Sequence, residues 1–261
     1  MKFHILTLFP EFFESCLRVG LLNKAIQKAL LEIQTVDVKQ FSKKGRADDY
    51  PFGGGDGMLI AYEPLKKALK SVKKTGRVIY LSAQGDKWTV QKAKTFSKKY
   101  KNVTLVCGRY GGVDSRFIQD FVDEEISIGD YVLNGGESAS LVLIETCSRF
   151  LKGFLGNEES YKKESFEDSL LEGPGWTKPR NIKDHKLPEV ILSGNHKKIE
   201  ELRFYSSLMT TWLKRPELLE GKPKLLKQMP MATAYLTDLP KAELKALGFS
   251  KKGKSLVLFK K

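Results

Sequence analysis

Cysteine is scarce in this chain, and the few present exclude two architectures. Cys16, Cys107 and Cys147 are odd in number and widely spaced along 261 residues, so they build neither a disulfide framework nor a zinc cluster. Histidine is equally sparse. His4, His185 and His196 lie far apart, form no H-E-x-x-H, and give no metal-ligand spacing. His4 reads as a core or edge residue of a strand. No apolar run approaches the roughly 20 residues that a membrane-spanning helix needs. The chain lacks a G-x-G-x-x-G between its first strand and helix, a GK[ST] after any glycine-rich loop, and a G-x-S-x-G. Dinucleotide-binding, P-loop and nucleophilic-hydrolase readings therefore have no motif to stand on. The start, "MKFHILTLFPEFF", has neither the basic n-region nor the small-residue cleavage site of a secretory signal. It reads as a buried strand, and a cytoplasmic location is the expectation. Internal repeats are absent.

What is present begins with charge. Forty-five Lys and Arg against 31 Asp and Glu give +14, an excess that favours polyanions, nucleic acid first. A lysine-rich surface serving solubility is the plainer reading of the same number. The acidic residues are not diluted evenly. They gather at 120–137 and 158–172, while the last 21 residues hold seven Lys and one Glu. Hydrophobic residues make up 41% of the chain and charged ones 29%, which is ordinary for a folded domain with a real core.

Strand and helix patterns alternate along the first 150 residues. Residues 1–9 form a strand, "PEFFESCLRVGLLNKAIQKALL" has helical spacing, and "LEIQTVDVKQF" alternates with period two. "EPLKKALKSVKK", "TVQKAKTFSKKY", "SRFIQDFV" and "GESASLVLIETCSRFL" are predicted helices; "GRVIYLSAQG", "NVTLVC" and "EEISIGDYVL" are predicted strands. This order predicts an α/β domain with a mostly parallel sheet and helices on both faces. In such sheets ligands bind where strands end at their carboxyl edge. Three glycine-rich exits fall there: "YLSAQG", "CGRYGG" and "SIGDYVLNGGE". "GGGDG" at 53–57 sits in a long aperiodic loop, either a surface loop or a lid that grips substrate. The pattern breaks down after about residue 153. We place a first domain at 1–157, a flexible linker at 158–187, and a smaller helical domain with a basic tail at 188–261, containing a small helix in "DLPKAELKALG" and a strand in "KSLVLFK".

The segments "LFPEFF", "YPFGGGDGM", "YLSAQG", "LVCGRYGGVD", "SIGDYVLNGGE", "SRF", "LSGNH" and "WLKRPELL" follow one another in that order. This set resembles the bacterial tRNA (guanine-37-N1)-methyltransferase family, of the SPOUT class, from the first strand through about residue 220. The resemblance implies a trefoil knot toward the C-terminal side of the sheet domain, with S-adenosylmethionine bound in it. It implies a homodimer with its active site at the subunit interface, tRNA as partner, and no membrane association.

Position by position, the resemblance puts Tyr80, Leu81 and Ser82 on the adenosine side and Gly108 at the second knot loop. Ile128, Gly129, Asp130, Tyr131, Val132, Leu133, Gly135 and Gly136 would cradle adenine and ribose through backbone groups. Arg149 of "CSRF" matches the family's arginine, which offsets charge developing on guanine O6, and Glu164 stands at the general base. Asp48, Ser193, Gly194, Asn195, His196 and Arg215 would meet the tRNA. Lys197, Lys198, Arg203, Lys214 and Arg215 are candidates for phosphate contacts, which release counterions and make affinity fall with salt. No metal site is expected.

The chain departs from the family at three places. The family's linker reads Asp-Ser-Phe where this one reads "ESF", so Glu164 replaces an aspartate, with Asp168 as a rival base. Gly111 stands where the family has a glutamate, a carboxylate that would have faced the sulfonium or the methionyl amine, and Ala83 stands where it has proline. An alternative reading is a non-catalytic tRNA- or RNA-binding relative that keeps the knot without turnover.

Overall fold

In the computed structural model, which describes residues 1–43, 45–54, 57–73, 75–157, 160–180, 182, 186–253 and 255–259, the chain divides into two compact units, Met1–Glu158 and Glu159–Lys261. Gly55 and Asp56 of the "GGGDG" stretch, His185, and part of the stretch expected to be a linker lie outside the described residues.

The first unit contains β1 (Lys2–Thr7), α1 (Glu14–Leu17), α2 (Gly20–Gln27), β2 (Glu32–Asp37), β3 (Asp48–Asp49) and β4 (Leu59–Ile60). It continues through α3 (Tyr62–Ser71), β5 (Arg77–Lys87), α4 (Val90–Lys99), β6 (Asn102–Cys107), α5 (Ser115–Phe121), β7 (Glu124–Ser127) and α6 (Glu137–Ser148). Five strands make one sheet in the order β2-β1-β6-β5-β7, and every pairing in it is parallel. Both faces are covered, as parallel sheets require. Phe3, Ile5, Val103, Leu105 and Cys107 point to one face and pack with Ala25 of α2, Phe96 of α4 and Leu143, Ile144 and Cys147 of α6. Their neighbours Leu6 and Val106 point to the other, against Leu65, Ala68 and Leu69 of α3 and Phe117 of α5. The period-two alternation of the strands sorts these two cores.

Local departures from the predicted elements have local causes. The first predicted helix is broken into a 3-10 turn at Pro10–Phe13, then α1 and α2, because Val19 is extended just before α2. β7 ends at Ser127, where the predicted strand ran on to Leu133. β5 is the longest strand, and its pairing with β7 is interrupted: Leu81 and Asp86 both face Ile126, so residues 82–85 bulge away from the sheet and return.

The second unit opens with 3-10 turns at Ser160–Lys163 and Glu167–Ser169. It then forms α7 (Glu189–Leu192), α8 (His196–Lys214), α9 (Pro223–Leu226), α10 (Met229–Thr237), α11 (Lys241–Ala246), β8 (Phe249–Lys252) and β9 (Ser255–Leu258). β8 and β9 form an antiparallel hairpin. The core joins Leu202, Tyr205, Leu208 and Met209 of α8 to Ala232, Leu236, Leu244, Phe249 and Leu256. The basic segment beyond residue 221 is thus part of the unit's folded core. Among the described residues no helix is long and apolar enough to cross a membrane.

Candidate active site

The carboxyl ends of β5, β6 and β7 converge on a cavity of about 260 Å³. Its lining includes Tyr80, Leu81, Ser82, Gly108, Ile128, Gly129, Tyr131, Val132, Leu133, Gly135 and Gly136, so all but one of the residues expected to hold the cofactor meet here. The exception is Asp130, which is exposed and outside the lining. The bulge of β5 supplies Ser82, Ala83 and Gln84 to the wall, and the exit of β6 supplies Arg109 through Gly112.

The tightness of "SIGDYVLNGGE" has a cause within the chain itself. The Gly136 amide donates to the Gly108 carbonyl at 3.0 Å, and Arg109 pairs with both Gly112 and Gly135 in short antiparallel bridges. A Cβ at Gly136 would stand 2.7 Å from the Cys107 Cα, and one at Gly135 would stand 2.4 Å from the Arg109 Nε. These glycines let one exit loop lie directly on another. Beneath them Glu137, fully buried in the first turn of α6, accepts from the Thr7 Oγ1 at 2.8 Å and from the Arg109 Nε at 3.1 Å. The Arg109 guanidinium also lies 4.5 Å from the centre of the Phe9 ring. One carboxylate therefore ties the end of β1, the exit of β6 and the start of α6 together.

The mouth of the cavity carries exposed apolar and aromatic side chains. Tyr110, Tyr131, Val132 and Leu133 all line it while remaining exposed, Val132 at 90%. Burial pushes the Tyr80 phenol above its ordinary pKa, with the charge of Glu125 adding to this. Burial likewise pushes up the Cys107 thiol, and pushes Cys147 to about 12, so neither offers a thiolate for chemistry. Among the described residues the lining contains no Asp or Glu. At Gly111 the backbone N–H donates to the Met58 carbonyl at 2.9 Å, and a Cβ would stand 3.1 Å from the Leu59 Cδ2. The backbone there is not in the left-handed region, but a Cβ would also stand 3.2 Å from the Met58 carbonyl oxygen, so a side chain needs small shifts of both Leu59 and the Met58 backbone.

The other expected residues lie outside this cavity. Arg149 is the half-buried C-cap of α6. Asp48 is in β3, 3.5 Å from the Arg46 Nε, beside a hairpin tip that exposes Tyr50 and Phe52. In the second unit, Glu164 and Asp168 line a groove with Leu171, Trp176, Arg203 and Ser207. Leu171 is held on α8 at both backbone groups: its amide donates to the Thr211 Oγ1 at 2.8 Å and its carbonyl accepts from the Ser207 hydroxyl. Phe166, Asp168 and Ser169 all have positive φ (74°, 48° and 64°), a costly arrangement for non-glycine residues and one that concentrates at functional sites. Ser193, Gly194, Asn195 and His196 are exposed at the start of α8, where the Asn195 side chain caps the helix by accepting from the Lys198 amide at 3.1 Å. Lys197, Lys198, Arg203, Lys214 and Arg215 lie along α8 and its end, and Arg215 is paired with Glu217. Among the described residues no group of His, Cys, Asp and Glu could hold a metal ion.

Sequence reasoning missed Thr7, Arg109 and Glu137. The last two sit inside the glycine-rich motifs themselves, so the signal was a charged residue at the edge of each exit. Thr7 carried none, because its partner is 130 positions away.

A family model described as tRNA (Guanine-1)-methyltransferase TrmD matches residues 1–221. A tRNA (guanine-N(1)-)-methyltransferase of Clostridioides difficile is 44% identical over 225 residues, covering 84% of this chain and 97% of that protein. One of Shewanella halifaxensis is 46% identical over 223 residues, covering 83% of this chain and 90% of that one. One of Caldicellulosiruptor saccharolyticus is 45% identical over 225 residues, covering 85% and 91%.

Proposed function

The chain belongs to the tRNA (guanine-1)-methyltransferase family, and from that premise we propose that it methylates N1 of guanine 37 in tRNA, beside the anticodon, using S-adenosylmethionine and acting as a homodimer. The observation that carries the cofactor assignment is the cavity at the three strand exits, with its glycine-rich wall and exposed apolar mouth. Those features suit a ligand with a flat aromatic ring and a polar ribose. Tyr80, Leu81 and Ser82 hold the adenosine side, and the backbone of residues 128–136 reads the adenine edge. The exits form a trefoil knot, a rare topology. The return of β5 to Ile126 and the seating of Gly136 on Gly108 support it.

When bound, the cofactor supplies an electrophilic methyl group on a positively charged sulfur. The protein's part is proton and charge management at guanine. The N1 proton, whose pKa lies above neutrality, passes to the Glu164 carboxylate as the N–C bond forms and the S–C bond breaks. The Arg149 guanidinium offsets negative charge that gathers on O6. Ser193 to His196 and the cations of α8 hold the tRNA, and the active site is completed at the dimer interface.

Single-turnover methyl transfer tests the base. Glu164→Gln leaves S-adenosylmethionine binding intact and slows transfer by about 10²- to 10⁴-fold, the usual worth of general-base catalysis. Full activity in Glu164→Gln together with loss in Asp168→Asn would move the role to Asp168. Full activity in both would remove this segment from proton transfer.

A further inference from the structure

The family match ends at residue 221, yet the chain continues into α9, α10, α11 and the β8–β9 hairpin, which share one apolar core with α8. The charge of this addition is lopsided. Residues 222–261 hold ten lysines against Asp238 and Glu243, a net of +8 out of +14 for the whole chain. Residues 159–221, the rest of the same unit, hold eleven cations and eleven anions and so carry no net charge. All the net positive charge of the second unit therefore resides in the addition.

Six of its lysines are also left uncompensated among the described residues. In the first unit Arg77 pairs with Asp123 and Glu124, Lys92 with Asp86 and Glu124, and Arg116 with Asp114. Lys222, Lys224, Lys227, Lys241, Lys251 and Lys252 are exposed, and none of them is in an ion pair among the described residues. They project from folded elements whose apolar sides, through Ala232, Leu236, Leu244, Phe249 and Leu256, are buried in the unit's core. A fixed scaffold of uncompensated cations binds a polyanion without first being ordered. The addition also reaches the approach to "LSGNH": the Glu243 carboxylate of α11 lies close enough to Glu189, the first residue of α7, for the two charges to interact.

We propose that residues 222–259 are an added RNA-binding surface that holds the phosphate backbone of the substrate tRNA and gives an otherwise neutral unit its attraction for it. This rests on the reading of the second unit as the tRNA-holding one. It goes beyond that reading by assigning the electrostatic grip to a segment outside the family match.

The test uses the full chain with the six exposed lysines changed together to Gln, and a companion with the same six changed to Arg. Unmodified tRNA transcript is titrated across a salt series, and steady-state methyl transfer is measured beside it. In the Gln variant the slope of log affinity against log salt becomes shallower by about 0.7–0.9 for each phosphate that is no longer neutralised. The KM for tRNA rises at least roughly tenfold at low salt, while kcat at saturating tRNA and S-adenosylmethionine affinity stay at wild-type values. The Arg variant keeps the wild-type slope and KM. An unchanged salt slope in the Gln variant overturns the proposal. So does an Arg variant as defective as the Gln one, since that marks a packing defect. Loss of binding to anionic lipid vesicles with tRNA binding unchanged would overturn it in favour of a membrane partner. Failure of the functional reading itself looks different, because wild-type protein would then methylate no tRNA.

Discussion

Replacing Glu137 should loosen the first unit at the point where its exit loops meet. The carboxylate is 1% exposed and takes two hydrogen bonds, from Thr7 at 2.8 Å and from Arg109 at 3.1 Å. Breaking a buried ion pair from one side costs about 3–5 kcal/mol, because the remaining charge is left without compensation. Arg109 is 22% exposed on its side chain, so water recovers part of this and Glu137→Ala belongs at the lower end of that range. Glu137→Gln keeps the shape and both contacts. The Thr7 hydroxyl, which already accepts the Phe9 amide at 2.9 Å, can rotate to accept the new amide as well. That variant loses the charge assistance and the acceptor of the Thr7 hydroxyl proton, together about 1–2 kcal/mol. The assay is native-state hydrogen exchange of the β1 and β6 amides, which reads this unit alone. Exchange should accelerate roughly 10²-fold in Glu137→Ala and about tenfold in Glu137→Gln, since each factor of ten is about 1.4 kcal/mol. A double-mutant cycle with Thr7→Val should show coupling of at least about 0.5 kcal/mol. Exchange in Glu137→Ala within twofold of wild type, or an additive cycle, would refute the reasoning.

Gly111→Glu should restore a carboxylate at the cavity wall and favour the positively charged S-adenosylmethionine over neutral S-adenosylhomocysteine by about threefold to tenfold more than wild type, measured by calorimetry; an unchanged ratio counts against the cavity as the cofactor site. Asp114 caps α5 by accepting from the Arg116 amide at 2.9 Å, so Asp114→Ala should cost about 0.5–2 kcal/mol in urea unfolding, whereas Arg116→Ala, at the surface, should leave the unfolding midpoint close to wild type. The Arg116 guanidinium holds the Asp114 carboxyl below the ordinary range, so this contribution is present at neutral pH and fades as pH falls through the lowered value. Burial, with the charge of Glu189 adding to it, raises the Glu243 carboxyl, so the folded unit holds that proton more tightly than the unfolded chain and loses stability as pH rises through the raised value. Glu243→Gln should therefore raise the unfolding midpoint of the second unit at pH 7 and leave it unchanged below about pH 4; equal midpoints at both pH values would remove burial as the cause.

How much of this was legible in the sequence follows the range of the interactions. β1, β5, β6, α3 and α4 are set by short-range alternation and helical spacing, and the structure has them where the patterns put them. β7 was overrun because "GDYVL" carries β-type residues while its backbone belongs to the loop. α10, "MPMATAYLT", hid behind Pro230, which is tolerated in the first turn of a helix but reads as a breaker in a sequence. The β8–β9 hairpin was half seen, since only "KSLVLFK" looks like a strand while "FSKK" reads as tail. At the cavity the glycines were visible and their reason was not. Gly135 and Gly136 make room for Arg109 and Cys107, contacts that exist only once separate exits have folded together. Glu137 looked like an ordinary helix-start acid, and its burial depends on Thr7 far upstream.

The central claim is tested most directly by incubating the full chain with methyl-labelled S-adenosylmethionine and an unmodified tRNA transcript, then mapping the label by nuclease fragmentation and mass spectrometry. One methyl group on N1 of guanine 37, absent when that guanine is replaced by adenine, is the predicted result. Label on another atom or nucleotide, or none at all from a folded protein that binds the tRNA, would contradict the account.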